Sequence, residues 1–436
     1  MYLLYNLLVT LGQGILPIAA LFSPKLKRFV KGRKEVFKTL SLELNPTKKT
    51  IWMHAASLGE YEQGVPVLEE IRQRYPEHQI VLSFFSPSGF EVRKNTPLAD
   101  TVVYLPVDSL RNAMQFVKVL KPSLAIFVKY EVWPNYMNAL QLAQIPSLLI
   151  SAVFRPSQIY FKWYGGLMRD SLHKFSHIFV QDSGALKLIK ESGYEHVSLA
   201  GDSRFDRVSR LSKYLESLPK EIQEILTAFT SAKPLFVGGS VWPEDVRVLG
   251  AALEKTAHRI KFVLAPHKAD KASVETVLKM LPIKLQKQSV WLSKTTPQEA
   301  SKASLLIVDS IGILNQIYPF AQMAYVGGGF KTGLHNTLEA AVYGIPLAIG
   351  PNFNKFKEAK DLVALGGIQV INTTENATHF LELALEEHYI EQIKGIQKAY
   401  VSAQLGATSK IMSQIASKIF LIDLQPTPQL KCTLKF

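Results

Sequence analysis

Ser57 and Glu60 stand three residues apart in His54-Ala55-Ala56-Ser57-Leu58-Gly59-Glu60, directly after an apolar run. A second carboxylate follows a later run in Lys129-Tyr130-Glu131-Val132-Trp133-Pro134-Asn135. A glutamate whose pKa is raised beside an apolar surface can take a proton from a sugar hydroxyl, so two carboxylates at one sheet edge suit general-base chemistry. The spacing S-x-x-E is equally that of a capping box, which does no more than start a helix. In the second half, Val326-Gly327-Gly328-Gly329-Phe330-Lys331-Thr332-Gly333-Leu334-His335-Asn336-Thr337-Leu338-Glu339 reads as a strand, a glycine-rich phosphate cradle and a helix start. It has neither the G-x-x-x-x-G-K-[ST] spacing of a P-loop nor G-x-G-x-x-G after a first strand, so ATP and NAD motifs fit poorly. With Glu339 one helical turn after His335, the histidine and the helix end would meet phosphate while the carboxylate reaches a ribose hydroxyl pair. Turn glycines and a solvated Glu339 are the structural alternative. Ala265-Pro266-His267-Lys268 places two more potential cations at a strand end, and Asp309-Ser310-Ile311-Gly312-Ile313-Leu314 is a third strand-to-helix turn. Convergence of the three on one sheet edge would make a nucleotide pocket.

Those junctions need strands and helices to hold them. Apolar runs at 51–55, 80–85, 102–107, 124–128, 146–153, 176–181 and 196–200 alternate with helical stretches. A second series begins at Pro234, with runs at 235–237, 260–264, 290–292, 305–308, 324–326, 346–349 and 368–371. This rhythm predicts an α/β chain with two doubly wound, mostly parallel sheets, whose ligands bind beyond the carboxyl ends of the strands. The mostly helical, polar stretch 207–233 separates the two series. A last helical stretch from about Ile390 to Leu421 is expected to pack back on the first domain, followed by a tail without regular structure after Asp423. The expected domains are 1–24, 25–215, 216–405 and 406–436.

A chain of 436 residues suits two domains rather than one core. Its formal net charge of +14 favours phosphate-bearing partners, whether nucleotide, nucleic acid or anionic lipid. The one cysteine, Cys432, can form neither an intramolecular disulfide nor a thiolate metal site, which points to a reducing compartment. Residues 1–24 contain no Asp, Glu, Lys or Arg, and the basic cluster Lys25, Lys27, Arg28, Lys31, Arg33 and Lys34 follows at once. Apolar first and basic second is the reverse of a secretory signal, and it places the body on the cytoplasmic side of a membrane. The segment fits a span of the bilayer or an amphipathic or core-packing helix broken by Gly12, Gly14 and Pro17.

Taken together, the apolar-then-basic N-terminus, His54 to Glu60, Glu131 to Asn135, Gly201-Asp202-Ser203-Arg204-Phe205-Asp206, Gly239-Ser240 with Pro243-Glu244, and His335 to Glu339 resemble the bacterial Kdo transferases. These enzymes move 3-deoxy-D-manno-octulosonic acid from CMP-Kdo to a lipid A precursor, lipid IVA. The resemblance spans nearly the whole chain and implies a GT-B fold with two Rossmann-like domains facing across a cleft, the first binding the acceptor and the second CMP-Kdo. It implies an inverting reaction without cofactor or metal, at the cytoplasmic face of the inner membrane and with no nucleic-acid partner. By that resemblance Glu60 is the general base, and Glu131 and Arg204 stabilise the transition state. Pro266, His267, Ile311, Gly312, Ile313, Asn336, Thr337, Leu338 and Glu339 fall where the CMP moiety binds, with His335 or Lys268 assisting the departing phosphate. Where many members carry Pro-Arg-His this chain has Pro266-His267-Lys268, moving the cation to Lys268. Arg204 replaces a usual lysine, and Gly350-Pro351-Asn352 a usual Gly-Pro-His. Rival readings are a UDP-sugar transferase or epimerase of the same fold, and a non-catalytic, membrane-tethered module that binds anions. Strand-end carboxylates argue against the module, because they repel phosphate.

Overall fold

The computed structural model describes residues 1–213, 218–231, 233–331 and 333–423. The expected tail, with Cys432, and the domain boundary expected at 216 lie outside them. The chain divides into two compact units, residues 1–207 with the C-terminal segment from 405, and residues 208–404.

The first unit holds strands β1 (Thr50–Ala55), β2 (Gln79–Phe84), β3 (Thr101–Tyr104), β4 (Pro122–Val128), β5 (Ser147–Ala152), β6 (His177–Val180) and β7 (Val197–Leu199). They form one parallel sheet in the order β3-β2-β1-β4-β5-β6-β7. Every residue of β1, β2 and β5 is buried, which is why these strands read as continuous apolar runs instead of alternating ones. The strand order reverses direction between β1 and β4, and at such a switch point the loops diverge and leave a crevice at the carboxyl ends. His54 to Glu60 leaves β1 there, and Lys129 to Asn135 leaves β4.

The second unit holds β8 (Leu235–Val241), β9 (Lys261–Pro266), β10 (Ser289–Trp291), β11 (Leu305–Ile307), β12 (Met323–Val326), β13 (Leu347–Ile349) and β14 (Gln369–Val370). The order is β10-β11-β9-β8-β12-β13-β14, again parallel, with its switch point between β8 and β12. Two doubly wound parallel sheets are therefore present, as the GT-B class requires.

The last helical stretch is two helices. Glu387–Ala403 belongs to the second unit, and Ala407–Asp423 to the first. The latter buries Ala407, Ile411, Met412 and Ile415, spaced for one helical face, against Ile51, Met53 and Leu124 of the first sheet's underside. Its start is capped from a distance, since Asp206 accepts the N–H groups of Gly406 at 2.7 Å and Thr408 at 2.6 Å.

Residues Tyr2–Ala19 form one helix, neither broken at its glycines nor packed into a core: none of its residues is buried. Leu3, Leu4, Leu7, Leu8, Leu11, Ile15 and Ile18 are exposed, and at 100° per residue they fall in one stripe. The half-buried positions Tyr2, Tyr5, Asn6, Val9, Gln13 and Leu16 fall on the opposite face. Tyr2 donates to Asn135 Oδ1 and Tyr5 to Asp108 Oδ2, each at 2.6 Å, and Asn135 Nδ2 donates to Asn6 Oδ1 at 2.8 Å. Beyond the helix's other end, Ala20 is buried. Arg33, in the following helix Pro24–Arg33, donates to the carbonyls of Leu105 at 2.8 Å and Phe85 at 2.5 Å. Its guanidinium also lies 3.4 Å from the Phe29 ring centroid, and burial pushes its pKa down to about 9. Arg33 therefore holds the fold together and is not one of the outward-facing cations, whereas Lys27, Arg28, Lys31 and Lys34 are exposed.

Candidate active site

Glu60 occupies the third position of helix Leu58–Arg74 and is buried, 7% exposed. The expected alternative, a capping box, does not form: Ser57 makes no side-chain cap bond, and its hydroxyl donates to Glu60 Oε2 instead. The serine therefore orients the carboxylate. Glu131 is also buried, and its Oε2 accepts from Trp133 Nε1 at 3.0 Å and lies 3.6 Å from His54 Nε2. Both carboxylates act on the hydroxyl of Tyr130. Burial pushes its hydroxyl pKa up, the charges of Glu60 and Glu131 add to the rise, and Arg155 opposes it. Glu60 and Glu131 thus lie on the two loops that leave the switch point, close enough for both charges to act on one phenol. Lys129, at the turn out of β4, has φ 71°, a left-handed conformation that a side chain adopts at a cost and that aims the loop carrying Glu131.

Arg204 is locked onto Asp202, which accepts from Nε at 2.9 Å and Nη2 at 2.7 Å. The intervening Ser203 is fully buried. Its hydroxyl donates to the carbonyl of Gln63, in the helix that carries Glu60, and sits 3.0 Å from Ser151 Oγ. The Gly201 to Asp206 motif is therefore tied at Ser203 to the Glu60 helix and at Asp206 to the C-terminal helix.

In the second unit the switch point gathers three rings. Trp242 and His267 stack with centroids 4.3 Å apart, and His267 and His335 at 4.6 Å. Trp242 Nε1 also donates to His335 Nε2 at 3.2 Å. Indole only donates, so His335 Nε2 accepts and its hydrogen sits on Nδ1. Burial, helped by His267, pushes His335 down to about 4. His335 is then neutral at physiological pH and acts through hydrogen bonds, and among the potential cations expected here Lys268 keeps that role. Trp242 is a candidate that the pattern of apolar runs did not reveal; its position at the carboxyl end of a central strand was the available signal.

The glycine-rich loop differs from the expected cradle. Gly327 N donates to Gly239 O at 2.9 Å, and Gly328 N to the buried Asp245 at 2.9 Å, so both amides are already engaged. These glycines exist for close backbone passage: a Cβ on Gly329 would come within 2.7 Å of the Gly350 backbone. The following helix is a single turn, Leu338–Ala341, so His335 precedes it instead of sharing a face with Glu339. One turn carries little dipole. Asn336 instead fixes the turn through its side chain, accepting Leu338 N–H at 3.2 Å and donating to Glu339 Oε1 at 3.0 Å. Thr337 and Leu338 are buried, and the Thr337 carbonyl accepts from Ala340 and Ala341 within the turn. Pro266 is buried at the end of β9, Lys268 is exposed, and Ile311 is 88% exposed beside Gly312, whose φ is 91°. Among the described residues no three His, Cys, Asp or Glu side chains converge to hold a metal.

The sequence model for the family described as 3-deoxy-D-manno-octulosonic-acid transferase (kdotransferase) matches residues 28–207. A 3-deoxy-D-manno-octulosonic acid transferase of Aquifex aeolicus is 28% identical over 348 residues, 78% of this chain and 87% of the relative. One from Haemophilus influenzae is 27% identical over 393 residues, 87% of this chain and 88% of the relative. Over most of its length the chain is thus similar to the Kdo transferases. It is accordingly a glycosyltransferase. Among solved structures, the UDP-GlcNAc 2-epimerase of Neisseria meningitidis matches with a TM-score of 0.57 at 14% identity, over 85% of this chain and all of that one; this likeness is one of fold. The matched residues 28–207 contain Glu60, Glu131 and Arg204, while the three-ring stack lies in the other unit.

Proposed function

We propose that this chain transfers Kdo from CMP-Kdo to a lipid A precursor with inversion, and that Glu60 is the general base. Glu60 removes the proton of an acceptor sugar hydroxyl, the oxygen attacks the anomeric carbon of Kdo, the bond from that carbon to the phosphate oxygen breaks, and CMP leaves. Glu131 and Arg204 stabilise the transition state on the first unit. Lys268 offsets the charge of the departing phosphate, and the ring stack of Trp242, His267 and His335 offers a flat surface and a neutral Nδ1–H donor to the nucleotide. The observation that carries this reading is the buried Glu60, held by the Ser57 hydroxyl beside Glu131 at the switch point instead of capping its own helix.

Membrane attachment belongs to the same proposal. Tyr2–Ala19 is long and apolar enough to cross a membrane by length and composition. Yet Tyr2 and Tyr5 at its start and Arg33 beyond its end all bond to the first unit, and a crossing helix has its ends on opposite sides. The helix therefore lies in the plane of the cytoplasmic leaflet of the inner membrane, with its leucine stripe in the acyl boundary and Lys27, Arg28, Lys31 and Lys34 near anionic head groups.

The test is transfer from CMP-Kdo to a tetraacylated lipid A precursor in detergent, with the sugars added counted by mass. Glu60→Gln is expected to lower turnover by about a hundredfold to ten-thousandfold with CMP binding retained. Full activity in that variant would reduce Glu60 to a structural residue, and no transfer by folded wild type would overturn the reaction itself.

A further inference from the structure

One buried polar chain runs beneath Glu131 and involves none of the residues given roles above. Trp52 and His54 sit two residues apart on β1, so their side chains share one face, and Ser83 is the register partner of His54 on β2. All three are fully buried. Trp52 Nε1 donates to Ser83 Oγ at 2.8 Å. Indole is a donor only, so the serine oxygen accepts there and keeps its own proton for another acceptor. His54 Nδ1, 2.9 Å away, is placed to be that acceptor. With Nδ1 accepting, the imidazole hydrogen sits on Nε2, which is buried without a hydrogen-bond partner and lies 3.6 Å from Glu131 Oε2. The opposite tautomer would send Nδ1–H to the Ser83 carbonyl at 3.1 Å and aim an Nε2 lone pair at a carboxylate oxygen. The Nδ1 end alone admits either form, since the serine oxygen has a second lone pair; the Glu131 oxygen facing Nε2 selects the Nε2–H tautomer. Trp133 Nε1 already donates to that same Oε2 at 3.0 Å, so two ring N–H groups converge on one carboxylate oxygen.

We infer that His54 is a positioning residue for Glu131: the Trp52–Ser83–His54 chain locks the imidazole with Nε2–H toward Glu131 Oε2, and with Trp133 it sets the orientation of the carboxylate for transfer. The inference rests on the reading of Glu131 as a group that acts on the transition state. A separation of 3.6 Å is longer than a hydrogen bond, and such contacts tighten when substrate fills a site. Because β1 and β2 are rigid and buried, the carboxylate moves to the histidine, which is what a positioning contact needs.

Two measurements test it. In ¹⁵N-histidine spectra of the full chain in detergent, one imidazole is expected to be locked as the Nε2–H tautomer, to vanish in His54→Gln and to become a mixture of tautomers in Ser83→Ala. In the transfer assay, His54→Phe, which keeps ring volume but has no donor, should lower kcat about ten- to hundredfold, the effect of losing one hydrogen bond to a charged group. KM for donor and acceptor should stay within about twofold of wild type if only the transition-state interaction is lost. His54→Gln, whose amide nitrogen overlays Nε2, should recover most of that turnover. A His54 signal in the Nδ1–H form, or a folded His54→Phe with wild-type kcat, would overturn the inference. If His54→Phe does not fold, the tautomer and the Ser83→Ala spectrum still decide it. If wild type transfers no Kdo, the functional reading fails separately while the spectra still report the tautomer.

Discussion

Replacing Tyr5 by phenylalanine removes one hydroxyl from the surface helix and leaves Asp108 with two hydrogen-bond donors of its three. The Asp108 side chain, in a residue 2% exposed, accepts from the Tyr5 hydroxyl at 2.6 Å and from the N–H groups of Asn135 at 3.2 Å and Tyr136 at 3.1 Å. Burial outweighs these bonds and pushes the carboxyl up to about 6 from an ordinary 3.8. A raised acid binds more protons in the folded chain than in the unfolded one. Its contribution to stability is thus full below the ordinary value and is lost as pH rises through about 6, on the order of 3 kcal/mol in all. Tyr5→Phe removes a bond to a charged acceptor near pH 8, worth about 1.5–3 kcal/mol, but a bond to a mostly protonated one near pH 5, worth about 0.5–1.5 kcal/mol. It also drives the carboxyl further up. The melting temperature of the variant should therefore fall by several degrees relative to wild type near pH 8 and by clearly less near pH 5, at about 2–4 °C per kcal/mol for a unit of this size. Comparing variant with wild type at each pH cancels the similar slope of Asp245, which burial also raises. Asp108→Asn is the control, since without the carboxyl the pH dependence specific to this position disappears. An equal loss at both pH values, or a larger one near pH 5, would refute the argument.

The in-plane helix predicts that Leu7→Ser with Leu11→Ser weakens binding to anionic vesicles by two to four orders of magnitude, from about 1.5–3 kcal/mol per leucine. The melting temperature should be unchanged, because both side chains are exposed; vesicle flotation and calorimetry check the two halves. His335, at about 4, should show no protonation by NMR down to near pH 5 in the free protein, and a midpoint near the ordinary 6.5 would contradict its burial under Trp242 and His267. Gly329→Ala should destabilise the second unit by more than about 1 kcal/mol, since the new Cβ meets backbone and not a movable side chain. Gly12→Ala, with nothing within 4 Å, should be neutral or mildly stabilising in the same melting experiment.

What could and could not be read from the sequence divides along the range of the forces involved. The strands of both sheets announce themselves because burial on two faces leaves continuous apolar runs, such as Ile51 to Ala55, that need no knowledge of their neighbours. The apolar run expected for β8 stops at Val237, because Gly238 and Gly239 carry no apolar side chain. The strand continues to Val241 because those glycines make room: a Cβ at Gly238 would strike Leu264, and one at Gly239 the Tyr318 hydroxyl. Missing that extension also hid Trp242 and the ring stack built on it. The partners of Tyr2 and Tyr5 lie more than a hundred residues away, beyond any local pattern, so the first helix could be judged only on its glycines, its proline and its apolarity. Two identical spacings make the point most sharply. Thr296 and Glu299 form a true capping box, each side chain bonding the other residue's backbone. Ser57 and Glu60 have the same spacing at the start of another helix, yet their side chains bond each other. Glu299 is exposed, and its carboxylate reaches back over the helix end. Glu60 is buried against the β4 loop that brings Glu131 and Tyr130, and this tertiary neighbour, absent from the motif, decides whether the carboxylate caps a helix or faces a site.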